Sequence, residues 1–176
     1  MVETTDKEFI EMARQEALKS TCLRRRYGAV LVWADSSVMG KGYNHQPHSL
    51  PVCKTCIRDD LHIEHGLNAE MCYAVHAEQA AIIDAAKNWY APSGTIMYLV
   101  EIDKKGDIIY RDDFRFYCTI CAKMMAEAGV EWLVMPIISG GRKTIVLKGI
   151  EKCLDDAFDY AKEKYGEHGN EAIKKF

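Results

Sequence analysis

The chain lacks any apolar run of the length a membrane span needs, so neither a channel nor a bilayer anchor is expected of it. It lacks a basic excess. Lys and Arg number 23 against 26 Asp and Glu, a formal charge of −3, which supplies no general electrostatic reason to bind nucleic acid. Its opening residues, MVETTDKEF, are acidic and polar where a secretory leader is basic and then apolar, so the cytoplasm is the expected compartment. No internal repeat, low-complexity tract or shift of composition divides it. Residues 1–176 therefore read as a single domain, with a flexible tail expected over 166–176.

What is abundant is cysteine, at 7 residues. In a reducing compartment disulfides are disfavoured, and metal binding or burial accounts better for thiols. Cys153 stands alone in a late helical stretch and reads as a small buried hydrophobe. The other cysteines, Cys22, Cys53, Cys56, Cys72, Cys118 and Cys121, fall near histidines or in short C-x-x-C spacings. The densest basic cluster, Arg24-Arg25-Arg26, is by composition a solvated turn, and only its position can give it another meaning.

A pass along the chain gives an α/β order. TDKEFIEMARQEALKS reads as a helix opened by a capping box from Thr5 to Glu8, with Phe9, Met12, Ala13 and Ala17 on one face. GAVLVWA reads as a buried strand and VMGKGYN as its hairpin partner. Residues 45–73 carry little periodicity, so something other than an apolar core must order them. VHAEQAAIIDAAKNW is a helix whose small residues suit close packing on a sheet, and GTIMYLVEI is a third strand. DKKGDIIYRDDFRF reads as a polar hairpin around Lys105-Gly106. CTICAKMMAEAGV is a helix ended by Gly129, EWLVMPII a fourth strand, and LKGIEKCLDDAFDYAKEKY a final helix. Helices alternating with strands predict a three-layer α/β/α sandwich.

The chemistry is concentrated at two helix starts. In VHAEQ, His76 and Glu78 are two apart, a spacing that points side chains to nearly opposite sides of a regular helix. Both reach one site only if they straddle the helix start. Cys118 and Cys121 open another helix, where unsatisfied N–H groups and the dipole favour thiolates. One histidine and two thiolates leave the fourth position on a zinc ion open, the arrangement of a catalytic rather than a structural metal. A water there has its pKa drawn toward ~7, and a glutamate that is not a ligand can carry the protons.

H-x-E followed by P-C-x-x-C marks zinc-dependent nucleobase deaminases. On these residues the chain resembles the cytidine and deoxycytidylate deaminase superfamily. STCLRRRYGAVLV, GKGYNHQP and CYAVHAEQAAI look closest to its deoxycytidylate (dCMP) deaminases. The resemblance covers about residues 8–136, broken near 102–117. It implies a sandwich of the cytidine deaminase type around a mixed sheet, with zinc on His76, Cys118 and Cys121 and with Glu78 as proton shuttle. It implies hydrolysis: zinc-bound hydroxide adds to C4 of a cytosine ring while Glu78 protonates N3 and then the departing ammonia. Asn44, in GYN, matches a residue that holds the sugar hydroxyl, although its other reading is a turn residue after a strand. Arg26 matches a basic residue before the first strand and is the expected phosphate contact. A second, structural zinc is implied on Cys22, Cys53, Cys56 and Cys72, with His62 or His65 as substitutes and buried free thiols as the alternative.

Two departures stand out. The proline before the first cysteine is Tyr117 here, and IDKKGDIIYRDDFRF separates the third strand from the cysteines where the family has a few residues. The expected substrate is a small nucleotide, dCMP first, in a homo-oligomeric enzyme that engages no nucleic acid or membrane. Deamination of another nucleoside, a base or a tRNA adenosine is the alternative, followed by a zinc-stabilised binding module without catalysis.

Overall fold

The computed structural model describes residues 2–172, with side chains over 6–166. The elements follow in the order α1 (Val2–Leu18), β1 (Arg26–Val32), β2 (Val38–Tyr43), α2 (Ile57–Asp60), α3 (Ala77–Lys87), β3 (Thr95–Ile102), α4 (Thr119–Glu127), β4 (Val130–Ser139), β5 (Arg142–Gly149) and α5 (Ile150–Ala172). The strands form one sheet in the order β2-β1-β3-β4-β5. β3 and β4 run parallel and the other neighbours antiparallel, so the sheet is mixed.

Alternation along the central strands separates two cores. In β3, Tyr98, Val100 and Ile102 face α1, where they meet Phe9, Ile10, Ala13 and Ala17 with Val30 and Val32 of β1. Met97 and Leu99 face the opposite side and pack with Ala29 and Leu31 against α3, α4 and α5. The result is the expected α/β/α sandwich. The small residues of α3 have a use: Ala77, Ala81 and Ala85 are fully buried against the sheet. A Cβ on Gly42 of β2 would fall 2.3 Å from the Ala81 amide nitrogen, so helix and strand touch backbone to backbone. Cys153 is fully buried in the same core, as its composition reading expects, and burial pushes its thiol pKa up to about 12.

Some expectations are corrected. α1 begins at Val2, which puts Thr5 inside the helix rather than at its cap, and the Thr5 side chain lies outside the described residues. Met12 is exposed and Ile10 takes its place in the core. LKG, read as helix, belongs to β5, a strand entered through a turn at Gly140-Gly141, both with positive φ. The backbone is helical across Gly166 to Ala172, where a tail is expected from sequence; residues 173–176 lie outside the described ones.

The segment before α4 is half a hairpin. Asp103 turns the chain, and Ile102 bridges Ile108. The returning chain then leaves β3 and bridges β4 instead, Arg111 beside Ile137. This detour carries Arg111 toward the helix starts on the C-terminal side of β3.

Candidate metal centre and its cavity

His76 is the N-cap of α3, with an extended backbone at φ −76°, ψ 157°, and Glu78 follows on the first helical turn. The break in helical geometry lets both side chains reach one place. Cys118 is the N-cap of α4, extended at φ −90°, ψ 103°, and its sulfur accepts from the Cys121 amide at 3.5 Å. His76 Nδ1 lies 3.1 Å from Cys121 Sγ and 3.5 Å from Cys118 Sγ. Among the described residues these three form the one group of His, Cys or acidic donors whose ligating atoms all lie within 4.8 Å. Zinc–sulfur bonds of ~2.3 Å and zinc–nitrogen bonds of ~2.0 Å at tetrahedral angles place ligand atoms about 3.5 Å apart. The donors fit that ion.

Their electrostatics agree. Burial works to lower the His76 pKa, but the neighbouring thiols and Glu78 outweigh it and raise it to about 11. The causes of that rise, two thiols and a carboxyl around one imidazole, make an electron-rich donor set. The Cys121 partner and then His76 draw the Cys118 thiol well below its ordinary range against the opposing effect of burial. Glu78 is buried, borders the same cavity and contacts Cys121, and desolvation raises its carboxyl pKa.

The centre opens into a cavity. Phe116, Leu99 and Met135 give it apolar walls, and Tyr117 contributes from the position where the family has proline. Tyr117 is held there by His65 and Tyr160, each edge-on to its ring, and by donating its hydroxyl to Asp113 at 2.7 Å.

The other candidate residues are placed differently. Asn44 borders the cavity, but its amide already works for the fold. Its Oδ1 accepts from Ser20 Oγ at 2.6 Å and the Tyr27 amide at 2.8 Å, and its Nδ2 donates to the Arg25 carbonyl at 2.7 Å. One N–H is what it can offer a ligand. Arg26 is not brought to the cavity: it is half-buried and donates to the Leu18 carbonyl at 2.6 Å. The reason is strand alternation. Tyr27 takes the cavity face of β1, so Arg26 falls on the α1 face.

Arg24 and Arg25 border the cavity, joined by two arginines that sequence reasoning missed, Arg58 of α2 and Arg111 of the detour. Arg111 and Arg25 both pair with buried Glu101, at 2.8 and 3.1 Å. The Tyr27 hydroxyl donates to Glu101 at 2.7 Å and accepts from Arg111. No local motif announces these partners, which are 10 to 76 residues apart in the chain.

Cys22, Cys53, Cys56 and Cys72 all border one smaller cavity, of about 310 Å³, behind the α1–β1 junction. Among the described residues, no three of their sulfurs lie within 4.8 Å of one another. His65 belongs to the main cavity, and among the described residues His62 joins no donor group.

Residues 3–136 match the family profile described as the cytidine and deoxycytidylate deaminase zinc-binding region. The chain belongs to the cytidine and deoxycytidylate deaminase family. As a member it is a zinc-dependent hydrolytic deaminase. It is 32% identical over 136 residues to a deoxycytidylate deaminase of Mycobacterium phage D29, covering 74% of this chain and 93% of that one. Its match to a deoxycytidylate deaminase of Schizosaccharomyces pombe is 34% identical over 84 residues, 47% of this chain and 26% of the yeast protein. Solved structures share the fold. A dCMP deaminase from cyanophage S-TIM5 superposes with a TM-score of 0.55 at 21% identity, covering 80% of this deaminase and 89% of the phage chain. A cytidine deaminase from Burkholderia pseudomallei gives 0.54 at 20% identity, covering 89% and 99%.

Proposed function

We propose that the protein hydrolyses dCMP to dUMP and ammonia. The supporting observation is a three-donor centre, His76, Cys118 and Cys121, with a buried carboxyl beside it, all reached from one cavity. The phage D29 relative is a deoxycytidylate deaminase, and the cyanophage structure with this fold is also described with dCMP and dUMP bound.

Zinc on the three donors would supply a hydroxide equivalent at neutral pH by lowering the pKa of a bound water. The chain's own part is proton handling and positioning. Glu78 is desolvated, which favours its neutral form and so suits it to accept a proton and return it within one turnover. In this reading it would take a proton from the attacking water and give it to ring N3, then take the proton of the new C4 hydroxyl and give it to the departing amine, which leaves as ammonia. Phe116 and Leu99 keep the ring's surroundings apolar, and the remaining Asn44 N–H faces the sugar. Ammonia release from dCMP, CMP, deoxycytidine, cytidine, cytosine and guanine tests the assignment. The highest kcat/KM is expected for dCMP; a preference for guanine or a free pyrimidine would overturn it.

The same reading assigns a second zinc to Cys22, Cys53, Cys56 and Cys72, which border one cavity. Metal analysis of fully loaded protein is expected to give two zinc ions per chain; one ion refutes this part. Finally, we read the chain as one domain of a cytoplasmic homo-oligomer that acts on a free nucleotide and on no nucleic acid.

A further inference from the structure

Tyr117 stands directly before the first metal cysteine, where a proline ring would have fixed the backbone φ. With tyrosine the approach to the Cys118 N-cap keeps that freedom, so something else must set it. Residues 113–117 are held by side chains from the far end of the chain. The Lys148 ammonium of β5 donates to the Phe114 carbonyl and lies 4.6 Å from the Phe114 ring centroid. Arg115 meets the Glu163 carboxylate with both terminal nitrogens, at 2.9 and 2.6 Å, and its guanidinium lies 5.4 Å from the Tyr160 ring centroid. Tyr117 itself meets Tyr160 edge to face, with centroids 4.6 Å apart. Tyr160 and Glu163 belong to α5, which begins at Ile150, beyond residue 136 where the family match ends.

The same helix holds the loop after α2. The Tyr160 hydroxyl donates to the His65 carbonyl at 2.8 Å, Lys164 lies 3.2 Å from Glu64, and the Tyr165 hydroxyl bonds to Asn68. Gly66 is pressed between the two tyrosines, since a Cβ there would lie 2.8 Å from Tyr117 Cβ and 2.8 Å from Tyr160 Cε1. His65, Gly66 and Tyr117 border the main cavity, and Tyr160 stands behind them. Tyr160 therefore belongs to both sets of contacts. Exposed ion pairs hold weakly, because water screens them and two long side chains lose freedom in forming them. The half-buried Tyr160 combines an edge-to-face ring pair, a guanidinium over its ring and a hydrogen bond to a backbone carbonyl, so it carries more of the restraint.

We propose that Tyr160 is a positioning residue for deamination: acting through Tyr117 and the His65–Gly66 backbone, it sets two walls of the substrate cavity before substrate arrives. A wall out of place in a fraction of the molecules weakens apparent affinity by that fraction, whereas the bound and assembled complex reacts as before. The signature of such a residue is a change in KM without one in kcat. The proposal rests on deamination at this centre, whichever compound is the substrate.

The test uses the zinc-loaded full chain and the compound of the ammonia-release panel with the highest kcat/KM. Tyr160→Leu is expected to raise KM about tenfold, with kcat within about twofold and zinc content unchanged. Tyr160→Phe keeps the ring contacts and loses the hydroxyl, and its KM is expected within about threefold of wild type. Without substrate, amide hydrogen exchange over 63–68 and over 113–117 is expected to quicken together in Tyr160→Leu, with α3 unchanged. A lowered melting temperature with KM unchanged overturns the proposal, as does faster exchange in only one of the two segments. Loss of zinc or a large fall in kcat overturns it too, by making Tyr160 a support of the metal centre. If Tyr160→Leu does not fold, the Arg115–Glu163 pair decides, because its side chains are 31% and 54% exposed and tolerate exchange. Glu163→Arg is expected to raise KM about threefold, and adding Arg115→Glu to restore it; no rise, or no restoration, overturns the proposal. Absence of deamination of every compound would remove the dCMP reading, and the exchange measurement alone would then uphold or overturn the role of Tyr160.

Discussion

The two ends of the cavity are built on opposite plans. The metal end comes from two short stretches, VHAE and CTIC, each fixed within one turn at a helix start. The cationic end collects Arg24 and Arg25 from the α1–β1 junction, Arg58 from α2 and Arg111 from the detour before α4. A coordination centre with three protein donors has no redundancy, because removing one changes the geometry and charge of the whole. A field summed over four guanidiniums declines in steps. One end should fail all at once and the other gradually.

The largest effect should follow His76→Ala. It is expected to release the catalytic metal and with it all measurable ammonia production; retention of one equivalent of that zinc, by metal analysis, would break the comparison. Glu78→Gln should come next, with kcat lowered about 10²- to 10⁴-fold and zinc content unchanged, since in the proposed mechanism the residue moves protons and does not ligate. Loss of metal from that variant would place Glu78 among the ligands.

Smaller effects should come from the roof of the cationic end. Gly66 has φ +82°, and a Cβ there would lie 2.8 Å from both Tyr117 Cβ and Tyr160 Cε1. Gly66→Ala should therefore lower the unfolding free energy by about 1–3 kcal/mol, read by denaturant titration, while zinc content holds. The smallest is a pH effect. His65 has a folded pKa of about 3 against an ordinary value of 6.5, so between these limits the unfolded chain binds the proton that the folded one refuses. Its contribution to stability is present above pH 6.5 and is lost as the pH falls toward 3. His65→Gln should flatten that part of the stability profile; an unchanged slope would mean that other groups govern acid unfolding.

The same contrast decides what sequence can disclose. His76, Glu78, Cys118 and Cys121 were legible because the relation among them is set by helix starts, and the chain encodes a helix start within a few residues. The three layers were legible through the alternation of Met97, Tyr98, Leu99 and Val100 and the small residues of α3. Arg58 and Arg111 were not, since no pattern of spacing or periodicity around either marks it as a residue of the cavity wall. For Arg26 the signal existed and pointed the other way: Leu31 and Ala29 lie on the cavity face of β1, and counting back by twos reaches Tyr27, not Arg26. β5 was hidden because its exposed, lysine-bearing residues do not form an apolar run, and a strand on the sheet edge needs none.

One feature of the fold bears on the order in which the protein becomes competent. α5 follows the matched region, yet it fastens the roof of the cavity. The Tyr160 hydroxyl donates to the His65 carbonyl at 2.8 Å, Lys164 lies 3.2 Å from Glu64, and Glu163 pairs with Arg115 at 2.6 Å. The His65–Tyr160 contact spans 95 residues, so a ribosome releases every metal donor and every cavity arginine before it releases the residues that close the roof. A nascent chain stalled after β4 would carry the means to hold zinc without a finished pocket for the nucleotide. Catalytic competence would then arrive with the last helix, as a late step in synthesis.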